Sequence, residues 1–283
     1  MKRNQTGFSI VELLIVIIIL GVVGLIGFVF VSNYIKKGDS NPKSSQSQTS
    51  QSTAGSESLI WQQTADGWQA NGTAPTCPAQ PMLKAPADLS KVTAVLYPGQ
   101  TRGGNYKPHG GFRFDNATDN KVTVTAPMDG FIVKGTQYLA DGVNEVQYSF
   151  DVMNNCGVMY RVGHLRELPA NLQTIAEAFP AATTSSAMQS IDPAVPVKLG
   201  EVLATKVGII SDGNTFFDWG VYDFRQENEA SKAVSYQSAH SEKELAWHAA
   251  CWLKDWLPAS DEAKLNSLPA GDPTSGKNSD YCQ

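Results

Sequence analysis

The feature that most constrains this chain is a run of apolar residues near its start, at positions 7–31. From position 13 to position 31 the run carries no charge. A helix rises ~1.5 Å per residue, so a run of this length can cross a hydrocarbon core of ~30 Å. A single apolar segment in lipid must be helical, because lipid offers no partners for backbone N–H and C=O groups. The sequence therefore predicts a transmembrane helix, with everything after Tyr34 on one side of the membrane.

Basic residues flank the run evenly, with Lys2 and Arg3 before it and Lys36 and Lys37 after it. This balance does not fix the orientation through the positive-inside rule. A very short basic N-terminus before a first span usually stays in the cytoplasm, which predicts an extracytoplasmic soluble domain. The run exceeds the usual length of a secretory-signal core, and no A-x-A cleavage site follows it. The simplest interpretation is a single-pass anchor in which a nearby glutamate is incidental.

The start of the run, GFSIVE after a short basic leader, resembles the type IV prepilin signal. The resemblance implies cleavage after Gly7 by a prepilin peptidase and N-methylation of Phe8, the new first residue. It divides the start into a leader at 1–7 and a pilin-like helix at 8–37. It also implies that Glu12 meets the N-terminal ammonium of a neighbouring pilin-like subunit during assembly. A carboxylate in an apolar helix is costly and normally has such a partner.

The segment 38–58 is rich in Ser, Gln and Thr and has almost no apolar residues. It cannot bury enough apolar surface to offset its ordering entropy, so the sequence predicts a flexible linker. Pilins usually continue the first helix into the globular head, and this chain departs from that pattern. A minor or tip subunit, or a plain membrane-tethered domain, fits this arrangement better than a main structural subunit.

The composition of the chain excludes some classes of partner and favours disulfides. A net charge of −5, with 17 % charged residues, argues against nucleic acid. An even number of cysteines on the exported side predicts two disulfides, although free buried thiols are the alternative. Three connectivities are open, and Cys282 is expected to bond Cys251 or another cysteine. All four follow the anchor: Cys77, Cys156, Cys251 and Cys282.

The region 59–283 is predicted to be one extracytoplasmic, mainly β domain. An Asp-Gly turn between short aromatic runs at 61–70 indicates a hairpin. Short β-type runs separated by turns predict an antiparallel barrel or sandwich with a core at about 92–225. These runs lie at 92–97, 111–114, 121–126, 130–134, 145–153, 158–162, 208–210 and 216–224. Helical patterns at 171–179 and 242–256 interrupt and follow them, and the second predicts a C-terminal helix against the sheet.

Five short motifs inside this domain, taken together, resemble the lysostaphin-type zinc endopeptidases. They are HGGFRFD at 109–115, APMDGFIV at 126–133, YRVGHL at 160–165, VKLGEVLA at 197–204 and FFDWGV at 216–221. The resemblance spans about 97–223, with an insertion after His164. It implies a short-strand β fold, also similar to biotinyl/lipoyl-type modules, and descent from enzymes that cut peptidoglycan cross-bridges.

The positions that carry zinc chemistry in that family are altered in this chain. His109 matches the first zinc ligand, and His164 matches a catalytic histidine. Arg113 stands where the family has an aspartate ligand, and Phe216 and Asp218 stand where it has a histidine pair. Arg has no lone pair to offer a metal and is permanently cationic. A catalytic zinc keeps three protein ligands, so the resemblance implies a vestigial site, with no cofactor and no peptidase activity expected.

These changes suggest that Arg113 takes the place of the metal. Its guanidinium would pair with Asp218 through a charge-assisted hydrogen bond. Pairing of Arg113 with Asp115 would exclude this hypothesis. A metal held by Asp115 and Asp218 together with His109 and His164 is a rival, and two ordinary histidines on a β fold are the plainest interpretation.

The sequence thus predicts a prepilin-like membrane protein with a non-catalytic, peptidase-like β domain. The domain would serve as a minor pilin or as a module that binds the cell wall or a surface partner. The alternatives are a zinc metallopeptidase acting on peptidoglycan with unusual ligands, and a purely structural surface domain. The altered residues Arg113, Phe216 and Asp218 favour binding over catalysis.

Overall fold

A computed structural model of the chain describes residues 58–64, 67–140, 142–240 and 245–282. These residues all belong to the unit Ser56–Gln283. The predicted leader at 1–7, the helix at 8–37 and positions 38–57 of the linker lie outside the described residues. Among the residues that are described, none of the helices has the length and apolar character needed to cross a membrane.

The described domain is mainly β, as the alternating short runs predict. The helices are α1 (Ala170–Ala176), α2 (Val234–Ala239) and α3 (Ala259–Ser267), with 3-10 turns at Thr118–Asn120 and Glu229–Lys232. The strands are β1 (Trp61–Thr64), β2 (Gly67–Ala70), β3 (Ala94–Leu96), β4 (Gln100–Arg102), β5 (Asn105–Lys107), β6 (Gly110–Arg113), β7 (Lys121–Thr125), β8 (Gly130–Leu139), β9 (Val146–Met153), β10 (Val158–Glu167), β11 (Gln189–Val197), β12 (Val202–Val207) and β13 (Phe216–Asp223).

One large antiparallel sheet organises the domain, in the order β11-β8-β9-β10-β13-β6-β3, and β12 joins β10 to β7 at one side. β1 and β2 form the predicted hairpin, and β4 pairs with β5. The predicted strand at 208–210 contributes only an isolated bridge, Ile209↔Asn214. β4, β5, β11 and β12 were not predicted.

The sheet does not close, so the barrel expectation is corrected to an open antiparallel sheet. Two features of the edge strands explain this. β11 contains Pro193 and Pro196, which offer no N–H for a further strand. At the other edge, the backbone of Val95 in β3 already bonds Pro269 and Gly271, at 3.0 and 2.7 Å.

Apolar side chains pack on both faces of the sheet. The larger core contains Phe112, Phe217 and Trp252, each fully buried. A smaller cluster on β9, β10 and β13 is covered by the hairpin residues Trp61 and Trp68. The hairpin therefore belongs to the packed domain and is not an appendage.

The C-terminal helix is present but displaced from its predicted position at 242–256. Described residues 245–256 form turns, and α3 begins at Ala259 after Pro258. The apolar periodicity arises because Ala249 bridges to Tyr222 while Ala250 donates its N–H to the Val221 carbonyl at 2.8 Å. The segment thus lies along β13, with Trp252 buried, instead of presenting one helical face.

Two disulfides join the cysteines, as the sequence predicts. Cys77 bonds Cys156 across 79 positions, and Cys251 bonds Cys282 across 31 positions. The first ties the proline-rich segment before β3 to the turn between β9 and β10. The second fixes the C-terminal tail, which resolves the connectivity that the sequence left open. No described cysteine is free.

Candidate functional site

The candidate site is centred on Asp218, a residue of β13 whose carboxylate is flanked by two imidazoles. Nε2 of His109 lies 3.2 Å from Asp218 Oδ2, and Nε2 of His164 lies 3.3 Å from the same oxygen. His109 precedes β6 and His164 lies in β10, the two strands that flank β13. The structure therefore brings together three of the residues that the sequence singled out, although His109 and Asp218 are 109 positions apart in the sequence.

Glycines on the neighbouring strands make room for this cluster. Asp218 is paired with Gly111 of β6 on one side and Gly163 of β10 on the other. A Cβ at Gly163 would lie 3.4 Å from the Asp218 Cβ, and one at Gly220 would lie 2.9 Å from the His109 Cβ. Directly opposed residues share one face of a sheet, so side chains at Gly111 and Gly163 would fill the space beside the carboxylate.

His164 reaches Asp218 because the strand is irregular at that point. The pairing of β10 with β9 shifts between Val162 and Leu165, and His164 has a φ of 58°. This left-handed conformation is uncommon for a residue other than glycine and persists where the surrounding contacts hold it. Two such contacts are the N–H of His164, which donates to the Tyr138 hydroxyl at 3.2 Å, and its carbonyl, which accepts from Gly208 at 2.8 Å.

Gln147 fixes the orientation of the His164 ring. Its amide Nε2 donates to the Gly208 carbonyl at 2.8 Å, so its Oε1 faces His164 Nδ1 at 2.6 Å as an acceptor. His164 Nδ1 is therefore the donor in this bond. Because Gln147 is fully buried, the pair has no water to compete for it. Nε2 of His164 is left to face Asp218.

The charge state of Asp218 follows from this arrangement. Burial alone would raise the pKa of Asp218, but the charges and hydrogen bonds of His164 and His109 outweigh it and hold that pKa well below its usual range. The cluster is partly covered, with 16 % of the His109 side chain and 22 % of the other two exposed. A backbone contact supports it, because Arg102 donates to the His109 carbonyl at 3.0 Å.

The hypothesis that Arg113 replaces the metal is wrong. Arg113 donates to Asp115 Oδ1 from Nε at 3.2 Å and from Nη2 at 2.8 Å. Thr93 also donates to Asp115, at 2.7 Å. Asp115 lies only two residues from Arg113 and is close at hand, whereas Asp218 is already engaged by two imidazoles. Two imidazoles, not a guanidinium, therefore contact the Asp218 carboxylate.

The four-residue metal site is not assembled either. Asp115 is bound to Arg113 and Thr93, apart from the cluster around Asp218. Phe216 instead lies beside His164, with ring centroids 4.4 Å apart. Across the ranges that the structure describes, no group of three or more His, Cys, Asp or Glu residues is arranged to hold a metal ion.

The supporting roles of Gln147 and Gly163 were missed in the sequence. Gln147 lies in β9 among alternating residues, and nothing in that pattern shows that the amide is buried. Gly163 was quoted within YRVGHL, but only its pairing with Asp218 reveals what its missing side chain allows. A buried glutamine and a glycine in mid-strand are the kinds of signal that become readable once the register is known.

Comparison with known proteins reaches only the start of the chain. Residues 2–28 match the family described as the prokaryotic N-terminal methylation motif. This is a prepilin-like signal. It includes Gly7, Phe8 and Glu12, and it supports a membrane-anchored surface protein that is processed and assembled with other pilins.

No curated protein matches the chain, and no solved structure matches it. The resemblance of the β domain to lysostaphin-type peptidases therefore finds no support in these comparisons.

Proposed function

We propose that this protein is a minor, pilin-like surface subunit whose β domain is a non-catalytic binding module. The observation that supports the proposal is the match of residues 2–28 to the methylation motif, a stretch that includes Gly7, Phe8 and Glu12. The polar segment at 38–58 would let the β domain extend from the membrane or from an assembly. Such a tethered domain suits contact with the cell wall or a surface partner.

The non-catalytic part of the proposal rests on the partners of the altered residues. Asp218 is engaged by His109 and His164, and Arg113 is engaged by Asp115. Phe216 places a ring without lone pairs where the peptidase family has a histidine. A catalytic zinc needs three ligands and an open position for water, whereas here the Nε2 atoms of His109 and His164 are engaged with the Asp218 carboxylate.

The rival is a zinc endopeptidase acting on peptidoglycan with unusual ligands. One observation favours it, because the nitrogen atoms of His109 and His164 and one oxygen of Asp218 meet at 3.2 and 3.3 Å. These atoms are of the types that bind zinc. A purely structural domain is the remaining alternative.

Mass spectrometry of the N-terminal peptide from producing cells tests the pilin-like part. We expect the mature chain to begin at an N-methylated Phe8. In a Gly7→Val variant the leader should stay attached, whereas Gly21→Val, which changes a glycine inside the apolar run, should be processed normally. An unprocessed wild-type chain would reject the proposal.

Metal analysis of the full chain, purified in detergent without chelator, tests the binding-module part. We expect no stoichiometric zinc and retention of the protein on insoluble cell wall. About one zinc per chain, lost in a His109→Ala variant, would favour the peptidase and call for a peptidoglycan cleavage assay. If the chain carries no zinc and binds neither the cell wall nor a surface partner, the purely structural alternative remains.

A further inference from the structure

The segment 269–282, which we call the tail, follows α3 and packs against the part of the chain that carries His109. Its start pairs with β3, where Ala270 bridges to Val95. Beyond that bridge, residues 271–282 form turns and bends, not a helix or a strand. Their placement therefore depends on contacts with neighbouring segments and on the bond between Cys282 and Cys251. We call the segment 97–109, which contains β4 and β5, the His109 arm.

Tyr281 of the tail holds the backbone immediately before His109. Its hydroxyl donates to the Pro108 carbonyl at 3.0 Å. Its ring lies against Gly99, where a Cβ would come within 2.8 Å of the ring carbon Cε1. The N–H of Asp280 donates to the Gly99 carbonyl at 3.0 Å. The last residues of the tail therefore contact both ends of the His109 arm.

A second connection between the tail and His109 runs through Gln100 and Arg102. Nε2 of Gln100 donates to two tail carbonyls, those of Gly276 at 3.0 Å and Asn278 at 2.6 Å. Oε1 of Gln100 accepts from Arg102 Nη1 at 3.2 Å, and Arg102 Nη2 donates to the His109 carbonyl at 3.0 Å. Gln100 is only 5 % exposed, so little water competes for these bonds. The His109 carbonyl is thus held by a guanidinium whose partner is bound to the tail.

The His109 ring depends on this backbone support more than the His164 ring does. Nε2 of His109 lies 3.2 Å from Asp218, while its buried Nδ1 has no hydrogen-bond partner among the residues that the structure describes. The His164 ring is fixed at both nitrogens, by Gln147 and by Asp218. A shift of the His109 arm would therefore separate His109 from Asp218 and leave His164 in place.

The disulfide that secures the tail lies at a surface cavity. Cys251 and Cys282 are half-buried, and both line this cavity, whose volume is about 360 Å³. In the other disulfide, Cys156 is 4 % exposed. Thiol–disulfide exchange requires an attacking thiolate to reach a sulfur atom. A reductant should therefore cleave the tail disulfide before the Cys77–Cys156 bond.

We propose that the tail disulfide is a redox-sensitive latch that holds His109 against Asp218. The reductant is a dithiol, such as the active site of a thiol oxidoreductase. One thiolate of the dithiol attacks a sulfur of the Cys251–Cys282 bond, which forms a mixed disulfide and releases the other cysteine as a thiolate. The second thiol of the reductant then displaces the first cysteine. Two electrons and two protons pass to the protein, which gains two thiols, and the dithiol becomes a disulfide.

Reduction loosens the site because the tail then keeps only individually weak contacts. Segments without regular structure open locally when they are not tied down. Loss of the Tyr281 and Gln100 bonds removes the support of the His109 arm, and the contact between His109 and Asp218 opens. Reoxidation closes the latch. The effect of the latch on binding rests on the proposed function, whereas its effect on His109 does not.

Differential alkylation of the full chain in detergent, during reduction by dithiothreitol, tests access to the latch. Thiols are trapped with an alkylating agent and located by mass spectrometry. We expect Cys251 and Cys282 to be trapped at least about tenfold faster than Cys77 and Cys156. Equal rates, or the reverse order, would overturn the proposal.

Modification by diethyl pyrocarbonate tests the connection to His109. The chain has four histidines, so mass spectrometry can follow each one. In a Cys251→Ser, Cys282→Ser double variant, His109 should react about tenfold faster than in wild type. The rate at His164, the internal reference, should not change. The matched control is the Cys77→Ser, Cys156→Ser double variant, in which the His109 rate should stay at the wild-type value. An unchanged His109 rate in the first variant would reject the latch.

A Tyr281→Phe variant tests the same connection with the disulfide intact. It removes only the hydroxyl that holds the Pro108 carbonyl, and the His109 rate should rise about fivefold, the factor expected for one hydrogen bond. Ser267→Ala, which removes a hydroxyl bond to the Lys264 carbonyl just before the tail, is the matched control and should change nothing. If the first double variant unfolds, His164 reacts faster as well. An unchanged His109 rate in Tyr281→Phe then rejects the latch.

Retention on insoluble cell wall is measured with the same proteins, so the two proposals fail separately. A reactive His109 in the latch variants, without retention of the wild-type chain, rejects the binding module alone. Retention of the wild-type chain, with equal His109 rates in all variants, rejects the latch alone.

Discussion

Gly163 allows the side chain of Asp218 to meet two imidazoles, because it leaves the neighbouring position on β10 empty. A Gly163→Ala change would place a Cβ 2.9 Å from Ser149 Oγ and 3.4 Å from the Asp218 Cβ. We expect a loss of ~1–3 kcal/mol in the free energy of unfolding, the usual cost of overpacking. Urea denaturation measures it, and Gly163→Val should cost more. Equal stability of Gly163→Ala and wild type would show that the site is looser than the structure indicates.

Asp218 should make stability depend on pH in a defined direction. Its folded-state pKa lies below the unfolded value of ~3.9, so its contribution is present above that value and is lost as the pH falls through the folded pKa. We expect Asp218→Asn to be less stable than wild type by ~1–3 kcal/mol near about pH 6. The difference should shrink as the pH falls below ~3.9 toward the lowered folded-state pKa of Asp218. A difference that stays constant across this range in urea denaturation would contradict the charge state assigned to Asp218.

Arg113 should contribute little to stability, because its pair with Asp115 is partly exposed. The side chains of Arg113 and Asp115 are 31 % and 48 % exposed. Pairs of this kind are worth about 0–1 kcal/mol, so Arg113→Gln should cost no more than that. A double-mutant cycle with Asp115→Asn should show weak coupling, and a cycle with Asp218→Asn should show none. Strong coupling to Asp218 would restore the hypothesis that the structure overturns.

At the scale of elements, we expect the two disulfides to contribute different amounts to the free energy of unfolding. Replacing Cys77 and Cys156 by alanine releases a loop closed across 79 positions, and the Cys251–Cys282 pair closes only 31. Removing either bond should cost roughly 2–5 kcal/mol, and chain entropy makes the longer loop more costly by about 0.8 kcal/mol. Thermal and urea unfolding of the two double variants measure the order. A larger cost for the Cys251–Cys282 pair would mean that the attachment of the C-terminal tail outweighs loop entropy.

Local patterns predicted the elements better than their assembly. The Asp-Gly turn identified the β1–β2 hairpin, and β6, β7, β9 and β13 fall close to their predicted runs, whereas β8 extends five residues beyond its predicted run at 130–134. The apolar spacing at 242–256 was misread because a turn-rich segment bonded to β13 buries the same residues that one helical face would bury. Closure of the sheet depends on which edges find partners, and that information lies in contacts such as Val95 with Pro269 and Gly271.

At the scale of the whole molecule, the residues of the site could be identified from the sequence, but their contacts could not. The resemblance of the motifs to the peptidase family singled out His109, His164 and Asp218, and the fold brings them together. It could not give their partners, since the register of β6, β10 and β13 decides which side chains share a face. Arg113 is the clear example, because its charge suggested a role at Asp218 while the nearer carboxylate of Asp115 was available two residues away.

Assembly through the N-terminal apolar run should be independent of the folding of the β domain, and Glu12 allows this to be tested. The carboxylate lies in the apolar run, five residues beyond Gly7, where pairing with the ammonium of a methylated neighbour would offset its burial. We expect Glu12→Gln to leave cleavage after Gly7 and the unfolding of the β domain unchanged, while co-purification with other pilin-type subunits falls by about tenfold or more. Glu57→Gln, a change outside the apolar run, is the matched control and should alter none of these measurements. Processing is checked by N-terminal mass spectrometry and assembly by quantitative proteomics of the purified complex. Normal co-purification of Glu12→Gln would mean that this carboxylate does not pair subunits, whereas loss of cleavage would place its role in recognition by the processing peptidase.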